Sequence, residues 1–140
     1  MENVIQVEAS ISADRNKVWE LWTSPEHIVN WNFASTDWHC PRAQNDLRIH
    51  GMFNYKMASK DGQAEFEFMG VHDHVEDQNL IKSHLADGRL LVVEFKQDGN
   101  QTKICESFEP EPNNSEDLQR QGWQAILNNF KTYAESRQNH

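Results

Sequence analysis

The sequence holds only two cysteines, Cys40 and Cys105, and they form no C-x-x-C pair. That excludes a disulfide scaffold; two free thiols in a reducing compartment are the simpler expectation and one bridge the alternative. No basic region followed by an apolar run opens the chain at Met1–Val7, so no signal peptide is expected. No apolar stretch approaches the roughly 20 residues that a membrane-spanning helix needs. A cytoplasmic location follows as an expectation. Positive charge is scarce: 13 Lys and Arg stand against 22 Asp and Glu, a formal net charge of −9. Such a surface repels phosphate backbones and anionic lipids, which argues against nucleic acid and membranes as partners. There is no glycine-rich phosphate loop, internal repeat, low-complexity tract or linker.

What is present fits one domain over residues 1–140. A chain of that length buries roughly 68–70% of its unfolded surface and needs neither disulfide nor metal to fold. Hydrophobic residues make up 37% and charged residues 25%, an ordinary soluble balance.

Residues 3–11 alternate, with Ile5, Val7, Ala9 and Ile11 on one side, and predict a half-buried strand. Ser12 or Asp14 offers an N-cap, after which Val18, Leu21 and Trp22 recur at helical spacing. Ser24-Pro25 opens a second short helix to about Trp31. Residues 32–44, with no clear period, read as a long loop carrying Trp38, His39 and Cys40. Turn signals at His50-Gly51, Asp61-Gly62, Asp77-Gln78-Asn79, Asp87-Gly88 and Asp98-Gly99 divide the next stretch. They give strands near 45–49, 52–59, 64–76, 79–86, 89–97 and 101–109. Asn113, Asn114 or Ser115 caps a final helix to about residue 136, with Trp123, Ile126, Leu127, Phe130 and Tyr133 as its stripe. The tail Gln138-Asn139-His140 is expected to fray. Strands segregated from helices mean α+β, with the long helix on one face of the sheet.

The turns also predict register. Met57 falls opposite Phe66, Tyr55 opposite Phe68 and Phe53 opposite Gly70; Arg48 opposite Phe53 and Asp46 opposite Tyr55; Leu85 opposite Leu90 and Ser83 opposite Val92; Val92 opposite Glu106 and Glu94 opposite Ile104. Opposed residues share a face. The more apolar face then also carries Asp46, Arg48, Tyr55, Ser83, Glu94 and Glu106. A buried charge must be paired or must line a wet cavity, and apolar walls with a few convergent polar groups describe a ligand site. The alternative is that these groups pair among themselves or stand in water at strand ends. Gly70, in mid-strand, is a candidate bulge.

Several segments are familiar in their order: Lys17-Val18-Trp19-Glu20-Leu21-Trp22-Thr23, Pro25-Glu26-His27-Ile28, Trp31, Asp46-Leu47-Arg48 with Gly51-Met52-Phe53, Asp61-Gly62, Phe68-Met69-Gly70-Val71, Thr102 and Gln121-Gly122-Trp123. Together they resemble the Hsp90-ATPase-activator homologue family, within the START-like, SRPBCC superfamily. The resemblance implies a birch-pollen-allergen-like, helix-grip fold: a seven-stranded curved antiparallel sheet around a long C-terminal helix, with a cavity between them. Superfamily members carry lipids, sterols, hormones or polyketides there, and some are cyclases or hydratases; the subfamily has no common catalytic motif. One departure stands out. His50-Gly51 replaces the usual double glycine, which bears on the hairpin that would aim Asp46 and Arg48 inward.

The candidate ligand-binding set is Trp31, Trp38, Asp46, Arg48, Phe53, Tyr55, Phe66, Phe68, Ser83, Val92, Glu94, Glu106, Trp123, Ile126 and Phe130. Arg48 could grip a carboxylate, or pair with Asp46 or a glutamate. Glu94 and Glu106 could serve as acid and base if desolvated, although no spacing identifies a reaction. His72 and His74 share a predicted strand face and read as exposed; with His39 and Cys40 they make no recognised metal spacing. Cys40 reads as a small apolar residue. No cofactor or metal is expected. The leading expectation is a module that binds a small hydrophobic or amphipathic molecule, as monomer or homodimer. A protein-interaction module, as the family name suggests, and a cyclase- or hydrolase-type enzyme are the alternatives.

Overall fold

Alternating side chains build β1 (Ile5–Ile11), whose Ile5, Val7 and Ile11 are buried. The chain continues through α1 (Arg15–Thr23), α2 (Pro25–Ile28), β2 (Trp38–Asn45), β3 (Met52–Ser59), β4 (Glu65–Glu76), β5 (Leu80–Leu85), β6 (Leu90–Asp98), β7 (Gln101–Phe108) and α3 (Glu116–Arg137). These elements come from a computed structural model that describes residues 3–137. The expected fraying of Gln138-Asn139-His140 lies outside the described residues.

The seven strands form one antiparallel sheet in the order β1-β7-β6-β5-β4-β3-β2. It curves around α3, the helix-grip arrangement. The hydroxyl of Ser115 accepts the Leu118 N–H, an N-cap at the start of α3. Leu127, Phe130 and Ala134 on α3 are buried in a core that includes Ile5, Ile104 and Phe108 from the sheet and Val18, Leu21 and Ile28 from the helical corner. Each of these side chains larger than alanine stabilises the fold by roughly 1.5–3 kcal/mol through burial alone. Thr102, also buried, donates to the Ala13 carbonyl at 2.8 Å and ties β7 to the start of α1.

The β3–β4 register is as predicted: Met57 faces Phe66, Tyr55 faces Phe68 and Phe53 faces Gly70. Gly70 is not a bulge. It makes room: a Cβ there would lie 2.2 Å from the His84 carbonyl oxygen and 2.8 Å from the Phe53 ring. The irregularity falls between His72 and His74 instead. His72 continues the inward alternation of Phe66, Phe68 and Gly70, and the bulge after it leaves His74 exposed, so the two do not share a face as expected.

Two turns slip by one residue relative to the prediction. Leu85 N–H bonds the Arg89 carbonyl, a three-residue turn with Gly88 at φ 92°. Asp98 pairs with Gln101, a two-residue turn with Gly99 at φ 61°. The first slip inverts β6 and the second restores β7. Ser83 therefore faces Leu91, Val93 faces Glu106, and Glu94 faces Cys105.

The predicted loop 32–44 and strand 45–49 are also corrected. β2 runs from Trp38 to Asn45, pairs Asn45 with Phe53 and Ala43 with Tyr55, and is followed by a turn-rich connection to Gly51. Little in 38–45 alternates because its burial is shallow and a bulge between His39 and Arg42 breaks its period.

Candidate functional site

A cavity of about 180 Å³ lies between the sheet, α3 and the helical corner. Its walls come from the inward residues of the middle strands: Phe53, Tyr55 and Met57 on β3, Phe66, Phe68 and His72 on β4, Ile81 and Ser83 on β5, Leu91 and Val93 on β6, and Glu106 on β7. Trp123 and Ile126 close it from α3; Trp22, Trp31 and Asn32 from the corner; Asn45 from β2. Phe66, half exposed, stands at its rim.

Aromatic packing fixes these walls. The Trp123 indole stacks on Phe108 at 3.8 Å between ring centres and meets the edge of Phe68 at 5.7 Å. Trp22 stacks on Trp31 at 4.9 Å, and both rings rest edge-on against Phe130. Trp31 is locked further by its indole N–H, which donates to the Leu21 carbonyl at 3.0 Å. Such contacts contribute about 0.5–1.5 kcal/mol per pair beyond burial.

One wall carries a chain of hydrogen bonds. Asn45 Nδ2 donates to the Thr23 carbonyl at 2.9 Å, which orients the amide so that Oδ1 faces His72 Nε2 at 2.7 Å. Oδ1 can only accept, so Nε2 carries the proton and Nδ1 accepts from the Ser83 hydroxyl at 2.9 Å. His72 is 4% exposed and stacks on Phe53 at 5.0 Å. Burial holds its imidazole below the ordinary histidine value, against the opposing pull of Asp46 and Asp73.

Glu106 differs from every other carboxylate of the described residues. It is 4% exposed, and among the described residues no side chain or backbone group bonds its carboxyl. Burial pushes its pKa up to about 8. Tyr55 keeps partial access through the cavity, yet its phenol is desolvated enough to titrate well above the usual range. Asn32 Nδ2 is buried without an acceptor.

Nine of the predicted residues line this cavity: Trp31, Phe53, Tyr55, Phe66, Phe68, Ser83, Glu106, Trp123 and Ile126. Six do not. Asp46 and Arg48 sit in the connection after β2 and pair with each other at 2.9 Å on the surface. Val92 and Glu94 point to the outer face because β6 is inverted. Trp38 stands at the start of β2 and leans on Phe66 at 5.8 Å without reaching the cavity. Phe130 is fully buried beneath Trp22 and Trp31 and supports the wall from behind. The proposed Glu94–Glu106 acid/base pair is thus split between the two faces of the sheet. His72, expected at the surface, is the most consequential lining residue outside the predicted set.

Cys40 and Cys105 are free, and burial raises both thiols, the reverse of an activated nucleophile. Among the described residues no three His, Cys, Asp or Glu side chains converge for a metal, and no helix is long and apolar enough to cross a membrane.

The family model described as "Activator of Hsp90 ATPase homolog 1-like protein" matches residues 12–135. The chain belongs to this family. An AHSA1-like protein from Aeromonas hydrophila, solved by solution NMR, is 38% identical with a TM-score of 0.90, over 96% of this chain and 93% of that one. A solution structure from Cytophaga hutchinsonii is 47% identical with a TM-score of 0.82, over 97% and 94%. A crystal structure of a protein from Nitrosomonas europaea, 16% identical over 98% and 97%, has a TM-score of 0.83 and shares the fold. Among curated proteins none matches the chain.

Proposed function

We propose that this AHSA1-like protein binds a small hydrophobic or amphipathic molecule in the cavity between the sheet and α3. The observation that carries the reading is a carboxyl without a partner, Glu106, on the wall of an otherwise largely apolar cavity. A filled core would place hydrocarbon there, since an unpaired buried polar group costs roughly 1–3 kcal/mol. A binding site needs such a group to orient its ligand. The volume of about 180 Å³ suits a molecule built on one aromatic ring; an engineered apolar cavity of about 150 Å³ admits benzene.

Benzyl alcohol, neutral and of that size, is a direct probe. Titrated into the protein, it should shift the NMR resonances of Phe53, Ser83, Val93 and Trp123 together. Ile126→Trp places a larger ring in the cavity from a partly exposed helix position and should abolish those shifts while the protein stays folded. Shifts that are absent in the wild type, or that persist in Ile126→Trp, would overturn the reading.

A further inference from the structure

We propose that the cavity is built for a small organic cation: a protonated amine on a flat apolar body, its ammonium group held by Glu106 and its body enclosed by the aromatic walls. This rests on the ligand-binding reading above and names the chemical class of that ligand.

The charge inventory of the walls comes first. Glu106 is the one ionisable group of the lining that can carry charge near neutrality. No lysine or arginine lines the cavity. His72 is kept neutral by burial and uses both ring nitrogens within the wall. Tyr55 stays protonated, since burial raises its phenol. β6 supplies Leu91 and Val93, β5 supplies Ile81 and Ser83, α3 supplies Trp123 and Ile126, and the helical corner supplies Trp22, Trp31 and Asn32, none of them charged. A ligand carboxylate would therefore meet no counter-charge and, once Glu106 ionises, a second negative group. A ligand ammonium would meet the one group of the lining that can ionise to the opposite sign, desolvated, where a paired charge interacts far more strongly than in water.

The hydrogen-bonding inventory points the same way. Ser83 gives its hydroxyl proton to His72, so it offers the cavity lone pairs only. The amide of Asn45 is committed on both sides, to Thr23 and to His72. Asn32 Nδ2 is sealed from the open space. The protonated phenol of Tyr55 can donate or accept; Ser83 and an ionised Glu106 present the acceptors that an ammonium needs, and only Glu106 adds charge to them.

The walls complete the case. Trp22, Trp31, Trp123, Phe53, Phe68 and Tyr55 surround the space. Aromatic faces attract cations, most strongly when water is excluded. The net charge of −9 also concentrates small cations near the mouth and repels anions.

Binding includes a proton step. The ammonium ligand displaces the proton from the Glu106 carboxyl, forming an ammonium–carboxylate pair and releasing one proton to solvent. Amine affinity should therefore rise between about pH 6 and about pH 8, while affinity for an uncharged analogue should not.

Calorimetric titration of the full chain with benzylamine, benzyl alcohol and benzoate, at both pH values, tests this. Near pH 8 benzylamine should bind at least about tenfold more tightly than benzyl alcohol, and benzoate should not bind. In Glu106→Gln the amine preference should be lost, and a cooperative thermal unfolding transition shows that the variant is folded. Alcohol or benzoate binding as tightly as amine in the wild type overturns the cation assignment and leaves the ligand-binding reading standing. So does an amine preference that survives in Glu106→Gln. If none of the three binds, the ligand-binding reading itself fails, and this inference with it.

Discussion

Val93 and Glu106 sit directly opposite each other across β6 and β7, so a carboxyl shares one wall with a buried aliphatic side chain. No cation of the described residues relieves it. The folded-state pKa of Glu106, about 8, exceeds the ordinary 4.5. For an acid raised in this way, the folded chain holds a proton that the unfolded chain has released. Stability from this group is thus highest below about pH 4.5, falls as pH rises, and levels off above about pH 8. Urea unfolding of the wild type should show that decline, on the order of a few kcal/mol across the window. Glu106→Gln, which cannot ionise, should remove it, so that the difference between the two proteins grows from about pH 5 to about pH 8. Parallel curves over that range would mean that Glu106 is solvated or paired.

His72 supplies a second, opposite dependence. Its folded pKa lies below the ordinary 6.5, so the unfolded chain takes up a proton that the folded chain refuses. This stabilisation is complete above about pH 6.5 and is lost as pH falls towards the depressed value. Asn45→Ala strands both the Nε2–H of His72 and the Thr23 carbonyl, and should destabilise by about 1–3 kcal/mol. Ser83→Ala removes only the donor to Nδ1 and should cost about 1 kcal/mol. Proton–nitrogen NMR of the imidazole should find the proton on Nε2 in the wild type. A proton on Nδ1 would reverse the Ser83–His72 bond and leave Asn45 Oδ1 facing a ring nitrogen with no proton, against the orientation that the Thr23 carbonyl imposes on the amide.

The sequence makes the β3–β4 hairpin and α3 legible for a physical reason. Asp61-Gly62 centres a turn between two strongly alternating strands, and the stripe from Trp123 to Phe130 recurs at helical spacing over a capped start. Side chains on these elements therefore reach the cavity as expected. The sequence turns β6 to the wrong face because Leu90, Leu91, Val92 and Val93 are all apolar, so its own pattern does not choose a face, and the turns on either side decide. Asp87-Gly88 and Asp98-Gly99 look alike in sequence, yet one closes a three-residue turn and the other begins a two-residue one. Glu106 keeps its face only because the two slips cancel. His72 lies inside by the plain alternation that also places Phe66, Phe68 and Gly70; the bulge that puts His74 outside has no signature in Val71-His72-Asp73-His74.

The connection after β2 shows how one non-glycine residue is accommodated. His50 holds φ 70°, in the left-handed region, where the family resemblance leads one to expect glycine. Its N–H donates to the His72 carbonyl at 2.7 Å, and the Gly51 carbonyl accepts the His72 N–H at 2.9 Å, so the connection is pinned beside the cavity wall. The next position has no such freedom: a Cβ on Gly51 would lie 2.0 Å from the Asp46 carbonyl oxygen. The two sites should therefore respond differently. His50→Gly relieves the left-handed strain, partly offset by the entropy of a more flexible unfolded chain, and should stabilise by up to about 1 kcal/mol. His50→Val places a β-branched residue in that region and should destabilise by about 1–2 kcal/mol. Gly51→Ala must move backbone and should cost about 1–3 kcal/mol while broadening the amide resonance of His72. Thermal unfolding of the three variants checks the order. Gly51→Ala as stable as the wild type would show that the connection is loose and does not brace His72.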